Sequence, residues 1–102
     1  MLLTPVTITS AFPHISQEVP FSARVLQVNG ETVPYARLQV YPGIVAFSGQ
    51  PATAFPWGRT HNGLPIGLQA IGPYLEDRTP ITFATLLEQE FGGFIPPPGY
   101  TE

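Results

Sequence analysis

No lysine and no cysteine occur among the 102 residues, and charge of either sign is scarce: four arginines and seven acids make up 11% of the chain. The missing cysteines exclude disulfides, thiolate nucleophiles and cysteine-ligated metal centres. A net charge of −3 gives neither a nucleic-acid groove nor an anionic membrane an electrostatic footprint. No apolar run approaches the ~18 residues that span a bilayer. The first residues have no basic segment and no signal-like apolar core. The expectation is therefore a cytoplasmic protein with no membrane or nucleic-acid partner. Its two histidines, His14 and His61, lie 47 positions apart, and without a ligand spacing they predict no metal site and no cofactor.

The shortage of charge also bears on organisation. An ordinary soluble domain is roughly 25% charged, whereas here no charge occurs from Leu38 to Gly58, and none follows Arg59 until Glu76. Two long uncharged stretches predict burial on both faces, as in a sheet covered by helices, or burial against a partner. A chain of this length is one small domain or part of a larger one. The composition favours the second, and no Gly/Ser-rich linker or internal repeat divides residues 1–102.

Several local patterns are legible. Leu2–Thr4 reads as a strand that ends near Pro5, which lacks a ladder donor. Residues 10–20, with two prolines, read as a loop. Arg24–Val28 and Glu31–Val33, separated by Asn29-Gly30, predict a hairpin with a type I′ turn. Leu38, Tyr41, Val45 and Ser48 follow helical spacing, but Pro42-Gly43 interrupts it and predicts a kink or a fresh start near Pro42. Ala52–Trp57 and Leu64–Ile71 predict an antiparallel pair around a polar turn at Arg59–Gly63, with Gly67 allowing close backbone approach. A last helix is expected from Thr79 as cap and Pro80 as first helical residue, with Phe83, Leu87 and Phe91 on one face and Gly92-Gly93 as its end. The tail Phe94–Glu102 predicts an extended, polyproline-like terminus. Glu76-Asp77 are adjacent acids suited to a helix N-terminus rather than a facing catalytic pair.

The central pair of strands carries Gly49-Gln50-Pro51-Ala52 through Pro56-Trp57-Gly58, then Gly63-Leu64-Pro65-Ile66-Gly67-Leu68-Gln69-Ala70-Ile71-Gly72. These runs resemble the C-terminal signature of the amidase signature family, G-x-P-A-x-x-x-P-x-G followed by G-L-P-x-G-x-Q-x-x-G. LLTPVT near the start, AFPH at Ala11–His14, VNG at Val28–Gly30, GPYLEDRT at Gly72–Thr79 and GGFIPPPGY at Gly92–Tyr100 resemble the same region in the same order. The resemblance implies an α/β fold: the C-terminal part of the amidase signature fold, a mixed β-sheet covered by helices, here a two-strand hairpin plus a C-terminal helix. It also implies a parent enzyme that hydrolyses linear amides with a serine nucleophile, activated through a second serine and a lysine.

Those catalytic groups are not in this chain. Lysine is absent, and Ser10, Ser16, Ser22 and Ser48 are isolated. A serine hydroxyl is a weak nucleophile without a positioned base, so no catalytic residue is assigned and the chain alone is expected to be inactive. Neither histidine accompanies a G-x-S-x-G elbow. By position, the resemblance places Gln39–Ala46 beside the substrate of the complete enzyme, with Gln39, Val40, Tyr41 and Ile44 as pocket residues and Tyr41 and Ile44 as the foremost wall positions. Ordinary helix packing is the competing reading of those side chains. If they do line the site, their apolar character suits an uncharged or aromatic acyl group. The family pattern commonly has an asparagine or small residue in the last turn before Gly49, where this chain has Ala46-Phe47-Ser48. The expected partners are the remainder of an amidase fold, or further copies of the chain, and a small-molecule amide. A stand-alone non-catalytic binding or oligomerising module derived from the same fold is the alternative.

Overall fold

The structure is a computed structural model and describes residues 1–100. Five strands and two α-helices form, in the order β1 (Leu2–Pro5), β2 (Val25–Val28), β3 (Glu31–Pro34), α1 (Val40–Ser48), β4 (Ala52–Arg59), β5 (Pro65–Ile71) and α2 (Arg78–Phe91). Short 3₁₀ turns occupy Phe21–Ala23 and Tyr35–Gln39. This is an α/β arrangement, as the sequence indicated.

The larger sheet has the strand order β1-β5-β4, with β5 antiparallel to both neighbours. Central position explains the burial of its second half, where Gln69, Ala70 and Ile71 are all covered. The β4–β5 pairing continues past the strand ends, since the Gly72 amide donates to the Pro51 carbonyl at 2.8 Å. At the other end the register shifts between Pro56 and Gly58, leaving Trp57 as the extra residue of a β-bulge. The bulge lets β4 run on to Arg59, two residues beyond its expected end. The turn that follows closes with Thr60 and Leu64 paired through their backbones at 2.8 Å.

The Asn29-Gly30 pair does what its chemistry predicts. Both residues have positive φ, 51° and 81°, the type I′ combination whose twist matches the flanking strands. The hairpin buries Leu26 and is backed by an aromatic cluster in which the Tyr35 ring meets those of Phe12 and Phe21 edge-on, at 6.2 and 5.5 Å. Arg24 lies over the Tyr35 face and donates its Nε proton to the Val19 carbonyl at 3.0 Å, pinning the preceding loop.

Pro42 breaks no helix because α1 begins at Val40, so the proline stands in the first turn, where backbone N–H groups have no intrahelical acceptor. The residues before it form the 3₁₀ turn instead, and the fresh start expected near Pro42 is observed. Helix α2 begins earlier than its sequence suggested. Asp77 is the N-cap and Thr79 lies inside the helix without a capping bond. Pro80 is displaced from the first helical position into the sheet contact, where its ring is fully buried. The apolar face of α2 packs across β4 and β5. Phe55 contacts Phe83 and Trp57 with ring centroids 6.5 and 6.4 Å apart, and Trp57 contacts Phe91 at 5.7 Å. Beyond Gly93 the tail is irregular, with one turn in which Tyr100 N–H bonds Pro97 O; Thr101 and Glu102, part of the expected extended tail, lie outside the described residues.

The core is small. Leu26, Phe55, Ala70 and Ile71 are the buried apolar side chains beside Pro80. The accessible surface is 7776 Å², against about 5,700 Å² for a compact monomer of this mass. The radius of gyration, 15.7 Å, likewise exceeds the roughly 13 Å of a compact domain of this length. Large apolar side chains contribute to the excess: Phe47 is almost wholly exposed, and Leu75 and Phe94 are largely so.

Candidate functional site

Helix α1 carries the four positions expected at a substrate pocket. Gln39, its N-cap, and Val40 are exposed; Tyr41 is half-buried; Ile44, one turn on from Val40, is 47% exposed. Of the four, Ile44 reaches a concave surface. It lines a cleft of about 400 Å³ with Met1, Leu2, Gln50, Ile71 and Pro73, where α1 faces the β1 edge and the end of β5. Gln39, Val40 and Tyr41 line neither this cleft nor the other concave surfaces described below.

Tyr41 is held by its backbone. Its carbonyl accepts a hydrogen bond from Gln69 Nε2 at 3.4 Å, and the same amide group donates to Thr4 Oγ1 at 3.0 Å. Thr4 in turn donates to the Pro5 carbonyl at 2.9 Å. Gln69 and Thr4 are register partners on β5 and β1, and both are buried. A buried amide is costly unless its donors are used, and here one side chain joins two strands to the first turn of a helix. The sequence carried a signal for it: Gln69 is the polar residue within the apolar run Leu68–Ile71.

Gln50 closes the floor of the same cleft by donating to the Gly72 carbonyl at 3.2 Å. Two other surfaces are larger or more apolar. A cleft of about 470 Å³ between the segment after β1, the β2–β3 turn and the start of β5 presents Thr7, Thr9, Ser10, Asn29 and Thr60. A groove of about 250 Å³ between β4 and α2 is lined by Phe55, Trp57, Phe91 and Phe94.

The groups that carry hydrolytic chemistry are dispersed. Ser48 Oγ donates to the Val45 carbonyl within its own helix at 3.3 Å. His61 sits in the exposed β4–β5 turn, and His14 beside Phe12, Arg24 and Tyr35. Among the described residues no three His, Asp or Glu side chains gather closely enough to hold a metal ion, and no helix is long and apolar enough to cross a membrane.

A three-stranded antiparallel sheet with a helix across one face and a second helix tethered through a side chain of its central strand defines an α/β sheet segment with exposed apolar surface. The family model described as Amidase matches residues 1–80, and the chain belongs to that family. It is 32% identical over 95 residues to a glutamyl-tRNA(Gln) amidotransferase subunit of Sinorhizobium medicae, covering 93% of this chain and 17% of that protein. The corresponding protein of Bartonella tribocorum is 34% identical over 94 residues, 91% of this chain and 17% of that protein. Fatty-acid amide hydrolase 2-A of Danio rerio is 40% identical over 57 residues, 56% of this chain and 11% of that protein. The chain thus spans about a sixth of the length of the first of these relatives.

Proposed function

We propose that this chain serves an amide hydrolase as a non-catalytic segment, completing the core sheet of an amidase fold and supplying part of the wall of its substrate pocket. One observation carries the reading: an amidase-family chain exposes about 2,000 Å² more surface than a compact monomer of its mass would. That excess, on one side alone, is of the order that large obligate interfaces bury.

The division of labour follows from the residues. The resemblance to the amidase signature family implies a nucleophile generated by a serine pair and a lysine, and the sequence has no lysine. The catalytic groups therefore belong to the surrounding fold. This chain contributes the apolar wall at α1, with Ile44 in its cleft and Gln39, Val40 and Tyr41, which line none of the concave surfaces described above, meeting the pocket that the surrounding fold completes; the substrate is a small amide with an uncharged or aromatic acyl group. A cytoplasmic location belongs to the same reading.

The test is co-expression with an amidase-family segment from the same genome that carries the serine pair and the lysine. The expected outcome is a stable complex with amide turnover that neither polypeptide shows alone. Turnover by this chain alone, lost in Ser48→Ala or His61→Ala, would overturn the assignment. Failure of the two polypeptides to associate would instead favour a stand-alone module.

A further inference from the structure

We propose that Gln69 is a positioning residue: by committing both protons of its side-chain amide to Thr4 Oγ1 and the Tyr41 carbonyl, it sets where the first turn of α1 stands relative to the sheet. Three observations carry this. Gln69 is 6% exposed, so its amide has little water to turn to, and an unmade bond there costs more than a made one gains. Its partner across the sheet is fixed by register, Thr4 opposite Gln69, so the amide has a constrained starting point on rigid strands. Helix α1 buries none of its own residues, and the Gln69 bond to Tyr41 is the side-chain hydrogen bond that joins this helix to the sheet among the described residues. An element without a buried face is held by its polar tethers, and this one attaches at the turn that carries Val40 and Tyr41.

The consequence for substrate rests on the proposed pocket role; the placement of the helix does not. Removing the tether should let the wall shift, weakening binding of the acyl group while the reacting groups, which lie elsewhere, keep their geometry.

Gln69→Met keeps the length and unbranched shape of the side chain and removes both donors. Gln69→Glu keeps the shape but turns an acceptor toward the Tyr41 carbonyl, which can only accept, so its effect on α1 should be at least as large. Thr4→Ser retains the hydroxyl and is the conservative control. In the co-expressed enzyme, Gln69→Met should raise KM for amides with bulky acyl groups about tenfold with kcat within about twofold, the signature of binding lost equally from ground and transition states. In the same complex, or in the chain alone where none forms, amide protons of α1 should exchange about tenfold faster while those of α2 stay unchanged. Thr4→Ser should match the parent in both. A second measurement needs no variant: in the parent chain the Gln69 side-chain amide protons should be protected and show a nuclear Overhauser contact to Tyr41. Unchanged α1 exchange, equal acceleration of α1 and α2, or freely exchanging Gln69 amide protons would overturn the proposal. Loss of the KM effect with α1 exchange still accelerated would leave the tether standing and overturn the pocket role.

Discussion

A methyl group added at Gly72 would stand 2.7 Å from Cδ and 3.0 Å from Cγ of Pro80, a buried ring that cannot swing aside. At Gly67 the nearest atom to such a methyl is the Phe55 carbonyl oxygen at 3.3 Å, and the position is otherwise open. The tighter of the two backbone approaches is therefore the one between β5 and α2, not the one inside the sheet. Gly72→Ala should cost about 1 to 3 kcal/mol, as overpacking does, and Gly67→Ala clearly less; chemical denaturation of both variants checks the order. Arg59, the exposed last residue of β4, bonds the Gly63 carbonyl at 3.3 Å, and His61 occupies the exposed turn that follows. Their alanine variants should stay within about 0.5 kcal/mol of the parent.

At the scale of the elements, what was legible in the sequence is what local chemistry decides. Asn29-Gly30 fixed the hairpin, Pro42 fixed where α1 begins, and the four-residue spacing of Phe83, Leu87 and Phe91 gave the face of α2. What the sequence could not supply depends on residues far apart. The Trp57 bulge exists only against β5, so the end of β4 was misplaced by two residues. The Gln69 bonds reach across 65 and 28 positions to Thr4 and Tyr41. Thr79 looked like a cap, but the helix starts at Arg78 with Asp77 as its N-cap, and Pro80 is buried close against Gly72. At the site, the pocket positions came from family resemblance, and the residue that fastens them was missed because nothing local in β5 shows what Gln69 bonds to. The packing of α2 offers a test of its own. Phe55 is buried among Phe83 and Trp57, so Phe55→Ala should cost about 3 to 5 kcal/mol. Phe91 meets Trp57 edge-on and is largely exposed, so Phe91→Ala should cost about 1 kcal/mol, the scale of an aromatic pair. Unfolding curves of the two variants should separate accordingly.

On the scale of the whole molecule, the balance between a few buried apolar side chains and many exposed ones predicts behaviour in solution. Alone, the chain should sediment as concentration-dependent oligomers and bind a hydrophobic dye, through patches such as Phe47 with its neighbours on α1. Under the proposed function, dye binding should fall when an amidase-family segment carrying the serine pair and the lysine is co-expressed. A monomer at every concentration with negligible dye signal would show that the apolar faces are tolerated without a partner. The sheet order β1-β5-β4 also has a consequence in time. Strand β4 meets β5 across a short turn, but β1 must wait for a partner more than sixty residues downstream, Leu2 for Ile71 and Pro5 for Leu68. On a ribosome adding about 5 to 20 residues per second, that delay is roughly 3 to 13 s, during which Leu2 and Leu3 stand without their β5 partners. Strand β1 is made well before the strand it pairs with, and slowing translation between Pro5 and Leu68 should lengthen the window in which a chaperone can hold it.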